Sequence, residues 1–243
     1  DVRRPETPRL RFVTGEAGIG KTRIVNEMRR LLRSKGIRVL QGIQSPPLRR
    51  DEAADTTGFK PLEGFAGPLA ALCDLAREWG PERSRRIFAG DRAPLLAPFV
   101  PEIASVPGVE MAEPLEGSQE LGAGRVLRAL TEVLAEAAEE QPILVVIDDL
   151  QWADELTLSM LDFVHRSGGW SQRKVLVLGI YRTEEAPRRL AGLAALPGVG
   201  HVDLGPLDDT DSGEMVRDML GGGDPQPAFL RFLTRSARGN PFT

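Results

Sequence analysis

The chain is poor in cysteine, and it has no long apolar run. Among its 243 residues there is one cysteine, Cys73, so no disulfide can form within the chain and a reducing compartment fits. No apolar stretch is long enough to span a membrane, and the N-terminal residues do not read as a signal peptide. We therefore expect a cytoplasmic protein that does not enter a membrane.

The chain also lacks an excess of positive charge. Its formal net charge of −4 gives no electrostatic footprint for nucleic acid, and basic and aromatic residues are not interleaved as on a single-strand-binding surface. Its two histidines, His165 and His201, are not part of a recognisable metal-binding motif in the sequence, so we assign them no role. We expect no direct contact between this chain and nucleic acid.

What the sequence does contain is a glycine-rich loop at 15–22, Gly-Glu-Ala-Gly-Ile-Gly-Lys-Thr. In this G-x-x-x-x-G-K-[ST] pattern the glycines let backbone N–H groups turn toward an anion, Lys21 adds positive charge at the β- and γ-phosphates, and the Thr22 hydroxyl can ligate Mg²⁺. A β-prone run at 10–14 precedes the loop, and a helical pattern follows it. We predict that ATP or ADP is bound here, by Gly15, Glu16, Ala17, Gly18, Ile19, Gly20, Lys21, Thr22 and Arg23.

A second motif is the apolar run 143–147, which is followed by Asp148 and Asp149. An acidic residue at the tip of a buried strand suits Mg²⁺, because this ion keeps most of its waters and needs only one or two carboxylates. We predict that Asp148 and Thr22 hold Mg²⁺ and that Asp149 orients or deprotonates the attacking water. A helix N-cap for Asp148 and an exposed turn position for Asp149 are the alternatives. Because aspartate is one methylene shorter than glutamate, it positions the attacking water less well, and we therefore expect slow turnover.

The order of the elements predicts an α/β protein, a three-layer α/β/α sandwich around a mostly parallel five-stranded sheet. We expect strands at 10–14, 37–43, 143–147, 174–181 and 201–204. The core would span 1–205, with a largely helical and irregular insertion at about 49–116. Residues 206–243 would begin a helical lid, with one helix starting at Asp211 in a capping box with Glu214 and another at about 227–238.

Three stretches together resemble the AAA-like ATPase module of STAND proteins, the signal-transduction ATPases with numerous domains. They are the loop at 15–22, the run 144–154 (Leu-Val-Val-Ile-Asp-Asp-Leu-Gln-Trp-Ala-Asp) and the turn 239–242 (Gly-Asn-Pro-Phe). The resemblance is greatest to modules of large bacterial regulators that carry LuxR-type helix-turn-helix outputs, nucleotide cyclases or protein kinases. It implies the P-loop NTPase fold with strand order 5-1-4-3-2.

The resemblance also implies roles for two further residues. Arg182, at the end of the strand after the acidic motif, would sense the γ-phosphate, and Pro241 would pack near the nucleotide base. A surface arginine and a plain helix terminator are the alternatives. The Gly-Arg-Glu segment that precedes the first strand in the family is missing from residues 1–9.

The function expected from these features is a regulatory ATPase in which Lys21, Asp148, Asp149 and Arg182 carry the chemistry. The nucleotide state would control lid closure or self-association, and through it an output such as transcriptional activation. Since the chain opens on Asp1 just before the first strand and stops at Thr243 after a turn, we expect a fragment of a longer polypeptide. Two alternatives remain: a P-loop phosphotransferase with a small substrate, and a non-hydrolysing module that holds ADP.

Overall fold

The structure is a computed structural model that describes residues 8–46, 61–111, 119–168, 170–221 and 225–242. Five strands form one sheet: β1 (Leu10–Thr14), β2 (Arg38–Ile43), β3 (Ile143–Asp148), β4 (Val175–Ile180) and β5 (Gly200–Asp203). Their order is β2-β3-β4-β1-β5, and every neighbouring pair is parallel. The predicted fold and strand order are confirmed, and the described sheet is wholly parallel where a mostly parallel one was expected.

Helices cover both faces of this sheet. The helices are α1 (Lys21–Ser34), α2 (Glu63–Trp79), α3 (Pro81–Ile87), α4 (Arg92–Leu96), α5 (Gln119–Ala137), α6 (Glu155–Ser167), α7 (Arg188–Ala194), α8 (Asp209–Met219) and α9 (Pro227–Ala237). Short 3₁₀ turns occupy Pro101–Ser105, Leu150–Trp152 and Thr183–Glu185. Among the described residues, none of these helices is both long and apolar enough to cross a membrane.

Strand β3 shows how the layers are built. Leu144 and Val146 belong to the hydrophobic cluster that contains Val25 of α1. The alternate residues of β3, Val145 and Ile147, belong to the second cluster, which holds the buried faces of α2, α5 and α6. Because side chains alternate across a strand, burial on both faces requires the continuous apolar run seen in the sequence.

The part of the predicted insertion that lies within the described ranges, 61–111, packs on the second face of the sheet. Phe65, Leu69 and Cys73 of α2 are fully buried in the same cluster as β3. Burial raises the pKa of the Cys73 thiol to about 11. Helix α2 lies so close to β2 that a Cβ on Gly42 would overlap the carbonyl oxygen of Gly64. Residues 49–60 and 112–116 of the predicted insertion lie outside the described residues.

The start of α8 differs from the prediction. The cap is Asp208, whose carboxylate accepts a hydrogen bond from the backbone N–H of Asp211 at 2.8 Å, and the helix begins at Asp209. The predicted start at Asp211, with Glu214 completing a capping box, is therefore wrong. Asp208 has the extended backbone that a cap requires, with φ −72° and ψ 173°, and its side chain already satisfies the N–H of the third helical residue.

Candidate active site

The glycine-rich loop connects β1 to α1 at the carboxyl edge of the sheet. Gly15, Gly18 and Gly20 all have positive φ, at 144°, 79° and 99°, which side-chain-bearing residues rarely adopt. Helix α1 begins at Lys21, directly after the last of these glycines. The loop therefore leads into a helix N-terminus, where exposed backbone N–H groups and the helix dipole favour an anion.

Lys21 folds its side chain back onto the loop. Its Nζ donates hydrogen bonds to the carbonyl oxygens of Gly15 and Glu16, both at 2.7 Å. Burial lowers the pKa of Lys21, and the neighbouring charge of Arg182 adds to this, while the negative charge of Glu184 opposes it. The ammonium group is thus held at the loop, among the charges of the β3 and β4 ends.

Thr22 and Asp148 connect the loop to the tip of β3. The Thr22 hydroxyl donates to Asp148 Oδ2 at 3.5 Å, and Asp148 Oδ1 accepts from the backbone N–H of Asp149 at 2.9 Å. Burial, together with the adjacent charge of Asp149, raises the pKa of Asp148, while the hydrogen bonds from Asp149 N–H and Thr22 and the charge of Lys21 oppose the rise. The carboxylate of Asp148 is therefore less stable as an anion in the folded chain than in water, and a bound cation would stabilise its charge.

The oxygens of Thr22 and Asp148 fit a magnesium ion. Mg²⁺ prefers oxygen ligands and commonly takes only one or two from protein, the others coming from water and phosphate. Within the described ranges there is no group of three or more His, Cys, Asp or Glu residues that could hold a metal by themselves. An ion at this hydroxyl and carboxylate would thus depend on ligands that a bound nucleotide supplies.

Asp149 and Arg182 lie at the ends of neighbouring strands and are joined by Gln151. Gln151 Nε2 donates to Asp149 Oδ1 at 2.8 Å, and Gln151 Oε1 accepts from the backbone N–H of Arg182 at 3.3 Å. The Arg182 guanidinium pairs with Glu185 at 2.8 Å and lies 5.6 Å from the ring centre of Trp152. Sequence reasoning assigned Gln151 no role, although it lies two positions after Asp149. Its second partner, Arg182, is 31 positions away in the sequence.

Glu184 places a carboxylate on the phosphate loop. Its Oε1 accepts a hydrogen bond from the backbone N–H of Ala17 at 3.0 Å. Hydrogen bonds from its own N–H and from Ala17, together with the charges of Lys21 and Arg182, lower the pKa of Glu184. The side chain lines a cavity of about 380 Å³ beside the loop. Sequence reasoning missed Glu184, although it follows Arg182 by two positions.

The turn after α9 also contacts the loop. Asn240 Nδ2 donates to the carbonyl oxygen of Ala17 at 2.9 Å. A Cβ on Gly18 would lie 2.9 Å from Asn240 Oδ1 and 2.9 Å from Phe242 Cβ, so a glycine is needed there. Pro241 lines a separate cavity of about 210 Å³ between α8 and α9. The loop contacts therefore come from the residues on either side of Pro241, and its contact with a base stays a prediction.

The structure thus brings the predicted site residues to one edge of the sheet. The charges of Asp148, Asp149 and Arg182 all affect the pKa of Lys21, and Thr22 contacts Asp148 directly. Of the other predicted residues, Ile19 is buried beneath the loop, whereas the side chains of Glu16 and Arg23 are exposed. Their individual roles stay predictions.

A parallel sheet of this strand order, with a glycine-rich phosphate loop after β1 and aspartates after β3, defines the class of P-loop α/β proteins. The AAA ATPase domain family matches residues 1–178 of the sequence. The match covers more than half of the chain, and the chain therefore belongs to this family. No curated protein matches the sequence significantly.

Solved structures with a similar fold share little sequence with the chain. They include the E. coli MS115-1 HORMA:CdnC:Trip13 complex, with 10% identity over 95% of this chain and 59% of that chain and a TM-score of 0.47. AMPPCP-bound DnaA from Aquifex aeolicus has 13% identity over 93% and 50%, with a TM-score of 0.42. Cdc6p from Pyrobaculum aerophilum has 12% identity over 89% and 44%, with a TM-score of 0.45. The chain spans about half the length of these proteins.

Proposed function

We propose that this chain is the regulatory ATPase module of a larger cytoplasmic STAND-type signalling protein, and that it binds ATP with Mg²⁺ and hydrolyses it slowly. The observation that carries the proposal is the contact of 3.5 Å between Thr22 Oγ1 and Asp148 Oδ2. It joins a complete phosphate loop to the acidic end of β3. A lysine, a metal-binding oxygen pair and a second carboxylate then meet where a triphosphate would lie.

Each of these groups has a distinct role in the proposed reaction. The loop N–H groups and Lys21 bind the phosphates, and Thr22 and Asp148 would hold Mg²⁺, which neutralises phosphate charge when bound. Asp149 orients the attacking water and accepts its proton. Arg182 meets the γ-phosphate after release from Glu185, with which it pairs in this structure.

The regulatory role is supported by the contact between the loop and the turn after α9. Asn240 binds the carbonyl oxygen of Ala17, and Gly18 lies against Asn240 and Phe242. A phosphate bound by the loop would act on the same backbone that holds this turn. We infer that nucleotide state sets the position of α8 and α9, and that the full-length protein uses this to control self-association and an output such as transcriptional activation.

Binding and phosphate-release measurements on the purified chain test the proposal. We expect Mg²⁺-dependent ATP binding and release of phosphate with no acceptor present. Lys21→Ala should weaken ATP binding by about 10–100-fold, since a hydrogen bond to a charged group contributes about 1.5–3 kcal/mol. Lys35→Ala, at the far end of α1, is the matched control and should bind as the wild type does.

Two results would replace this function with another. ATP binding without phosphate release, followed by release when a small acceptor is added, would indicate a phosphotransferase. ADP that stays bound through purification, with no turnover of added ATP, would indicate a non-hydrolysing module.

The rate itself tests the role of Asp149. Asp149→Asn should lower kcat by about 100-fold or more, the usual contribution of a general base. Asp149→Glu, which has the longer reach of glutamate, should turn over ATP at least as fast as the wild type. A wild-type rate of tens per second would contradict slow turnover.

A further inference from the structure

Gln151 is a buried side chain that lies between two residues of the proposed chemistry. It is only 6% exposed, and both ends of its amide are engaged. Its Nε2 donates to Asp149 Oδ1 at 2.8 Å, and its Oε1 accepts from the backbone N–H of Arg182 at 3.3 Å. Only this orientation of the amide satisfies both partners, because a carboxylate can only accept and a backbone N–H can only donate.

The backbone of Asp149 is fixed independently of Gln151. Its φ of 57° and ψ of 39° place it in the left-handed region, which aspartate tolerates better than most residues. Its N–H donates to Asp148 Oδ1 at 2.9 Å, and its carbonyl oxygen accepts from Trp152 N–H at 3.0 Å. The remaining freedom of Asp149 is rotation of its side chain, and the hydrogen bond from Gln151 restrains that rotation.

The same hydrogen bond makes the two carboxylate oxygens of Asp149 different from each other. Oδ1 is held by Gln151, whereas no hydrogen bond to Oδ2 is seen from any residue that the structure describes. Oδ2 is therefore the oxygen that is available to a water molecule. A carboxylate with one oxygen fixed and one available is oriented for proton transfer, which depends strongly on geometry.

The other end of Gln151 is fixed to the β4 end. The backbone N–H that it accepts from belongs to Arg182, whose guanidinium contacts Glu185 and Trp152. A change in the position of Arg182 would thus be passed through one amide to Asp149.

We propose that Gln151 is a positioning residue that aligns Asp149 for hydrolysis and links that alignment to Arg182. This inference rests on the proposed ATPase function. Gln151 does not itself touch the reacting atoms, so its removal should slow the chemical step and leave nucleotide binding intact.

Two variants separate the two ends of the amide. Gln151→Glu has nearly the same shape and can still accept from Arg182 N–H. When ionised it cannot donate to Asp149 and repels its carboxylate, so this variant is compared with the wild type at alkaline pH, where both acids are ionised. Gln151→Met fills the same space and loses both hydrogen bonds. The matched control is Gln141→Glu at the opposite edge of the sheet. Gln141 accepts from Arg38 at 2.9 Å and donates to the carbonyl oxygen of Gly36 at 3.2 Å, so this glutamate also keeps the accepted hydrogen bond and loses the donated one.

The measurements are the single-turnover rate of ATP cleavage with enzyme in excess, the KM for ATP, and the Kd of a fluorescent ADP analogue. We expect both Gln151 variants to cleave ATP at least about tenfold more slowly, a part of the 10²–10⁴-fold that a well-placed base contributes. The Kd for ADP and the KM should stay within about threefold of wild type, as a tenfold change in affinity would require about 1.4 kcal/mol of lost binding. Gln141→Glu should match the wild type in all three.

Several results would overturn the inference. Cleavage rates of both variants within threefold of wild type would show that Gln151 does not position the base. A weakening of ADP binding as large as the loss of rate would show a merely structural role. These outcomes leave the ATPase function standing, whereas a wild-type chain that binds ATP and never cleaves it overturns the proposed function and this inference together.

Discussion

Replacing Glu184 with glutamine should tighten ATP binding. In this structure the Glu184 carboxylate accepts a hydrogen bond from Ala17 N–H at 3.0 Å, and its negative charge opposes the lowering of the Lys21 pKa by burial. A phosphate entering the loop must compete for these groups and meets a negative charge beside it. Glutamine keeps the size and the acceptor oxygen of the side chain but removes the charge.

The size of the effect follows from that hydrogen bond. A hydrogen bond to a charged group contributes about 1.5–3 kcal/mol and a neutral one about 0.5–1.5, so the charge accounts for roughly 1 kcal/mol. Glu184 is exposed, and screening by solvent reduces this figure. Loss of repulsion toward the γ-phosphate acts in the same direction. We expect the Kd for ATP to fall by about fivefold and that for ADP by less than about twofold.

Stability should change in the opposite direction. The pKa of Glu184 is lowered in the folded chain, so its charge stabilises the fold at pH values above its ordinary pKa, and this contribution is lost as pH falls through the lowered value. At neutral pH the nucleotide-free Glu184→Gln protein should therefore have a slightly lower Tm.

Titration of ATP and ADP into the variant, in the same buffer and salt as the wild type, measures the effect. Glu155→Gln is the control, because it removes the same charge from a glutamate that pairs with Arg189 on α7. Equal tightening in both variants would show a general charge effect. Weaker ATP binding in Glu184→Gln would refute the reasoning and show that the carboxylate supports the loop.

Three further substitutions have definite expected outcomes. Asp154 accepts hydrogen bonds from the first residues of both α2 and α6, so Asp154→Ala should cost about 3 kcal/mol, seen in thermal unfolding as a Tm lower by about 6–12 °C. Asp148→Asn should lower Mg²⁺-dependent ATP turnover by about 100-fold. It should also raise the Tm at neutral pH, because the raised pKa of Asp148 means that its charge destabilises the folded chain. Gly18→Ala, strained at φ 79° and blocked by Asn240, should cost about 1–3 kcal/mol of stability and weaken ATP binding in the same titration.

Much of the fold could be predicted from sequence because its signals are local. The run 143–147 has no polar position, and such a strand must be covered on both faces. The glycines of the loop stand between a strand and a helix, which is the context in which this motif forms a phosphate site. The start of α8 could not be resolved in this way, because Asp208, Asp209 and Asp211 are all competent caps and only the backbone selects one.

Less of the candidate site could be predicted from the sequence, because the contacts that connect its parts join residues far apart in the chain. Glu184 is 167 positions from Ala17, and Asn240 is 223 positions from it. Neither pairing has a periodicity or spacing that could reveal it. Glu184 is two positions after Arg182 and Asn240 directly precedes Pro241, the two positions that the family resemblance singled out. The resemblance singled out both segments, and the side-chain geometry shows which residue of each segment contacts the loop.

These two distant contacts meet at one residue. Ala17 donates its N–H to Glu184 and offers its carbonyl oxygen to Asn240, so the end of β4 and the turn after α9 hold the same part of the loop. Under the proposed function, a γ-phosphate at this loop competes with Glu184, and a shift of the Ala17 backbone changes the acceptor that Asn240 uses. Their convergence on Ala17 supports the proposed regulatory role, since under that proposal it would couple phosphate binding to the helices that follow β5.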